Sequence, residues 1–164
     1  MFLALLLSAC KAGIIIEANS KYIADPKFSS KINKCLELLS KKAPSAFGIL
    51  TNHIGKIRAF SKSGTSVNLK PKTIDIAKTT FDASESWLAS VLAHESIHAK
   101  QSAENRDYSG VAAEQECNAH QIEVLRLIGA PQSEIAYMLT LTGNHFDLNG
   151  DGIYDRKDYE LRNW

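Results

Sequence analysis

The chain has 164 residues, of which 45% are hydrophobic and 23% charged, enough apolar material for one domain with a core of its own. Its formal net charge is +1, and Lys and Arg are spread along the chain. That balance, with no basic block, argues against nucleic acid as a partner, and no repeat or low-complexity tract is present.

The N-terminus, "MFLALLLSACKAG", is a short apolar run ending in Leu7-Ser8-Ala9-Cys10. The run is too short to span a bilayer. Small residues before a cysteine resemble a bacterial lipoprotein signal, although no Lys or Arg precedes the run. The resemblance implies removal of residues 1–9, lipid on Cys10, and a protein of the bacterial cell envelope, anchored to a membrane or secreted. Cys35 and Cys117 would then sit in an oxidising compartment, but they fall in different expected helices. Two small buried side chains are the favoured expectation over a disulfide.

Asp25-Pro26 reads as an N-cap followed by proline at the first helical position. Phe28, Ile32, Cys35, Leu36 and Leu39 recur at helical spacing, so a helix is expected to about Lys42, ended by Pro44. Residues 46–81 are rich in Ile, Val, Thr and Phe, with turn candidates at Asn52 to Gly55 and at Ser63-Gly64. They are expected to form a small, mostly antiparallel sheet of three or four strands.

Asp82, with Glu85 three residues later, resembles a capping box. Helices are expected from about Ser84 to Ala103, from Gly110 to Ile128, and from Gln132 to near Gly143. Helix, sheet, then helices is the order of an α+β fold.

The first of these three helices carries "VLAHESIHAKQ", residues 91–101. His94 and His98 lie one turn apart on one face and can present ring nitrogens to a single ion. Glu95 is rotated aside, where it meets a water on the ion rather than the ion itself. Such a glutamate can take the water's proton and pass it to a leaving amine.

The next helix supplies the third ligand. Glu114 and Asn118 share a face with the apolar Val111, Ile122 and Leu125, whereas Glu116, His120 and Glu123 fall on the polar side. A carboxylate on an apolar stripe is costly to bury without a cation, and a metal ion is one. Glu114 is therefore the expected ligand. Asn118, one turn on, can hydrogen-bond a ligand histidine from behind. Glu116 and His120 are expected on a wet surface.

His94-Glu95-x-x-His98 followed by Glu114-x-x-Cys117-Asn118 resembles the gluzincin metallopeptidases, over about Ala46 to Gly129. The small size resembles their minimal members. The resemblance implies a zincin-like core with an active-site helix and a glutamate-bearing helix. It also implies zinc as cofactor, and a peptide or protein substrate bound along an edge strand. Cys117 replaces a more usual alanine. No motif identifies a residue that stabilises the transition state; Tyr108, His120 and His145 qualify by residue type alone. A zinc-containing domain that binds without hydrolysis, and a secreted effector or toxin domain using the same chemistry, are the rival readings.

The tail, "FDLNGDGIYDRKDYE", follows another pattern. Asp147, Asn149, Asp151, Gly152 and Asp158 resemble an EF-hand or dockerin-type calcium loop, with Ile153 giving its carbonyl and Asp155 at the water-mediated ninth place. Aspartate at the twelfth position fits the dockerin type. A single loop implies a calcium staple rather than a switch. The expected organisation is a signal over 1–10, a peptidase domain over 22–143 and a calcium-loop tail over 144–164.

Overall fold

The computed structural model describes residues 13–60, 64–143 and 149–150. Cys10, His145, Asp147, Asp151, Ile153, Asp155 and Asp158 lie outside them. Asn149 is described, and it is exposed. No helix among the described residues is long and apolar enough to cross a membrane.

The fold is α+β. A strand, β1 (Ile15–Glu17), leads to two helices, α1 (Lys27–Lys42) and α2 (Pro44–His53). Three strands follow: β2 (Lys56–Ala59), β3 (Ser66–Asn68) and β4 (Thr73–Ile76). Four helices close the described chain: α3 (Lys78–Asp82), α4 (Glu85–Ala103), α5 (Val111–Ile128) and α6 (Gln132–Leu139).

α1 forms where its apolar spacing places it, with Phe28, Ile32, Cys35, Leu36 and Leu39 buried. Its N-cap is Pro26 rather than Asp25, and no side chain caps it. Asp25 instead accepts a hydrogen bond from the Ser29 hydroxyl. Pro44 ends α1 and also starts α2, where a missing N–H costs nothing. The strand-like run from Ala46 to Thr51 is thus helical, and its Ala46 and Leu50 face the core.

The sheet has the order β1-β2-β4-β3 and is mixed. β1 pairs with β2 in parallel, and β2 with β4 in parallel. Only β3 and β4 are antiparallel, with Val67 opposite Ile74. The expectation of a mostly antiparallel sheet is therefore corrected. α1 and α2 form the crossover that parallel neighbours require, and β4 enters between β2 and the edge strand β3. The sheet also starts before residue 22, because β1 belongs to it.

Ser84, not Asp82, caps α4: its hydroxyl accepts from the Trp87 N–H at 2.9 Å. Asp82 closes α3 and pairs with Lys78. α4 is enclosed by α1, α2 and α5, with β3 against it. The core gathers Phe28, Leu39, Leu50, Ile57, Ile74, Leu88 and Leu92, all out of reach of water. A smaller cluster of Leu125, Ile135 and Met138 joins α5 to α6. α5 stops at Gly129, whose φ of 73° is the left-handed conformation of a helix end.

Candidate metal centre

Burial of α4 along most of its length leaves one face open, the face that bears Val91, His94, Glu95 and His98. The His94 and His98 rings lie 5.1 Å apart, inclined at 66°. Each residue is 8% exposed. α5 packs along α4 and brings Glu114, 6% exposed, to the same point. Glu114 Oε2 is 3.4 Å from His94 Nε2, and Oε1 is 3.6 Å from His98 Nε2. Glu95, 7% exposed, lines the same cleft.

Those separations exceed a good hydrogen bond and suit a shared ion. Ligand atoms held around zinc at about 2.0–2.1 Å in a tetrahedron stand about 3.3–3.4 Å from one another. Two neutral imidazoles and one carboxylate form the usual donor set of a catalytic zinc site. The residues present therefore fit the metal.

Burial and nearby charge act on the two rings in opposite directions. Burial works against charge on His94, but Glu114 and then Glu95 outweigh it and hold that imidazole above its ordinary value. His98 goes the other way: burial, and then the neighbouring His94, push it down to about 4.

Around these groups, the structure departs from expectation. Asn118 lies in the cleft wall, 4% exposed, but neither amide atom makes a hydrogen bond among the described residues. Glutamines lie near both rings, but His94 Nδ1 also has no hydrogen-bond partner among the described residues. Gln121 donates to Ser90 Oγ at 3.1 Å and favours the charged form of His94. Gln101, fully buried, lies behind His98 together with Cys117. Cys117 Sγ is 3.5 Å from His98 Nδ1. Donor atoms of His94, His98 and Cys117 all fall within 4.8 Å of one another, so sulfur is a second metal-capable group here. Burial, then Glu114 and Glu95, push the thiol up, which keeps its proton on. Cys35 is equally buried, and neither cysteine is in a disulfide.

Glu116 turns away from the cleft. Arg106, and then Gln101, hold its carboxyl down at about 2. His120 is half-buried and does not line the cleft. Tyr108 does line it, as does Tyr137 of α6, whose ring packs against Trp87 at 5.6 Å between centroids and an inclination of 58°. Neither Tyr137 nor Gln101 was singled out by motif. A signal for Gln101 existed, because it continues the His94 and His98 face by one more turn.

No protein-family model matches this chain, and neither a curated protein nor a solved structure does. What the site can do rests on its own geometry.

The cleft, of about 160 Å³, runs between β3 and α6. Thr65, Ser66, Val67 and Leu69 form one wall, and Trp87, Tyr137 and Met138 the other. β3 is the last strand of the sheet, so among the described residues one side of its backbone has no strand partner.

Proposed function

We propose that the chain is a zinc-dependent endopeptidase of the gluzincin type, with a zincin-like core. The observation that carries this reading is the buried Glu114 carboxylate, whose two oxygens face the Nε2 atoms of His94 and His98 at 3.4 and 3.6 Å. His94, His98 and Glu114 would hold the metal. When bound, zinc supplies a Lewis acid and a water acidic enough to attack a peptide near neutral pH.

Glu95 does the proton work. Its carboxylate takes the proton of the attacking water and delivers it to the leaving nitrogen. Placement in a cleft that shields it from bulk water strengthens that role. β3 offers its open edge to an extended peptide, whose main chain would lie antiparallel along Ser66 to Asn68. Tyr108 and Tyr137 line the cleft, and a phenol hydroxyl from either would donate to the developing oxyanion.

The tail over 144–164 would carry calcium through Asp147, Asn149, Asp151, Ile153 and Asp158. Cys10 would carry lipid, and the peptidase would then belong to the bacterial envelope.

The test is metal analysis of the purified protein and digestion of a peptide library, beside Glu95→Gln. One zinc per chain in both proteins, with cleavage lost at least about 100-fold in the variant, is the expected result. Equal turnover by the variant removes Glu95 as general base, and a wild type without zinc removes the reading.

A second reading, a zinc-holding domain without hydrolysis, draws on Cys117. A sulfur joining His94 and His98 is a donor set of structural zinc sites, which leave no position for water.

A further inference from the structure

We propose that Cys117 and Gln101 are positioning residues that fix His98 with its proton on Nδ1, leaving the Nε2 lone pair for the metal. The purpose of this device rests on the peptidase reading, but its geometry does not.

Polarity is set from the outside inward. Arg106 grips Glu116 with a two-pronged contact, Nη1 to Oε2 at 2.8 Å and Nη2 to Oε1 at 2.9 Å. Glu116 Oε2 also accepts from Gln101 Nε2 at 3.0 Å, and the Ala113 carbonyl accepts from the same nitrogen at 3.3 Å. A carboxylate and a carbonyl can only accept, so the NH2 end of Gln101 is assigned and its Oε1 must face the other way.

Oε1 lies 3.9 Å from Cys117 Sγ. An amide oxygen cannot donate, so the thiol proton points to Gln101. The sulfur is left as an acceptor, and the ring nitrogen 3.5 Å away on its other side, His98 Nδ1, must bring the hydrogen. A neutral imidazole protonated at Nδ1 has its lone pair on Nε2, the atom that faces Glu114 at 3.6 Å. The reverse arrangement, with the thiol donating to Nδ1, would leave Gln101 Oε1 without that donor in a fully buried place.

Cys117 thereby takes over the role expected of Asn118, but toward His98. Metal-ligating histidines depend on such a partner behind the ring, and its loss weakens metal binding about 10–100-fold.

The experiment uses the full chain. Ring-nitrogen chemical shifts of the metal-free, 15N-histidine-labelled protein report the His98 tautomer. Zinc affinity is measured by competition with a chelator, and cobalt in place of zinc reports sulfur ligation by its charge-transfer band. The expected result is Nδ1–H in the wild type and in Cys117→Ser, with a shift toward Nε2–H in Cys117→Ala. Zinc binding should fall about 10–100-fold in Cys117→Ala and be largely restored in Cys117→Ser. Gln101→Met gives a second route, since it removes the thiol's acceptor and should loosen the same tautomer.

Nε2–H in the wild type overturns the proposal. So does an unchanged zinc affinity in Cys117→Ala, or a sulfur-to-cobalt band, which would make Cys117 a ligand. If no protein binds zinc, the peptidase reading fails, and the tautomer of the metal-free ring still decides the role of Cys117.

Discussion

Glu114 Oε1 stands 3.6 Å from His98 Nε2, and that contact joins α5 to α4 at the floor of the cleft. It predicts which carboxylate on α5 controls metal content. Glu114→Ala should lose zinc by more than about 100-fold, because a ligand matters more than the partners behind it. Glu116→Ala should cost about tenfold or less, because Glu116 reaches the site through Gln101. Chelator competition on both variants checks this, and metal content that follows Glu116 would reverse the assignment.

The difference in burial between Glu114 and Glu116 was legible in the sequence. Glu114 and Glu116 differ by two residues, which on a helix means opposite faces, and the apolar phase of Ile122 and Leu125 identified the buried one. α4 and α5 were legible for the same reason: each is long enough for its periodicity to declare itself. α2 was not, because Phe47, Ile49 and Thr51 have strand-like local preferences, and packing on α4 overrides them. β1 is three residues long, and its parallel pairing with β2 is a long-range contact that no local pattern records. The partners behind the histidines were misjudged because the family pattern points to Asn118. Only the packed structure reveals that Gln101 and Cys117 reach the His98 ring.

Cys35 gives a prediction for alkaline pH. Burial, and then the charge of Glu85, push its thiol up from 9.0 to about 12. The unfolded chain loses this proton near pH 9 and the folded chain does not. The contribution is therefore fully present below pH 9 and declines as pH rises toward 12, by about 1.4 kcal/mol per unit at most. Melting midpoints of the wild type should fall across that window more steeply than those of Cys35→Ala. Parallel curves would show that Cys35 has no such linkage. Alkylation mapped by mass spectrometry at pH 8 should likewise spare Cys35 until denaturant is added.

Leu7-Ser8-Ala9-Cys10 predicts a processed N-terminus. Mass spectrometry of protein from its native membrane fraction should find a diacylglyceryl group on Cys10 and no residue before it. Replacing Cys10 with serine should release the protein from the membrane without changing zinc content. An intact Met1 in mature native protein would rule the lipid anchor out.

The last prediction concerns the acidic tail. Asp147, Asp151, Asp155 and Asp158 would repel one another if drawn into one loop without a cation. Calcium reverses that repulsion and supplies the cation around which the loop oxygens close. Asp158 is one methylene shorter than the glutamate of sensor EF-hands, so it reaches the ion less readily with both oxygens, and affinity should be modest. Calcium is abundant outside the cytoplasm, where modest affinity still means occupancy. Calcium that binds only the folded state raises stability. At a hundredfold excess over the dissociation constant the gain is about 2.7 kcal/mol, or roughly 5–10 °C in midpoint. The measurement is a melting series in calcium at constant zinc on wild type and Asp151→Ala. The wild type should rise and the variant should not; a wild-type midpoint indifferent to calcium, or an equal rise in both, removes the calcium loop.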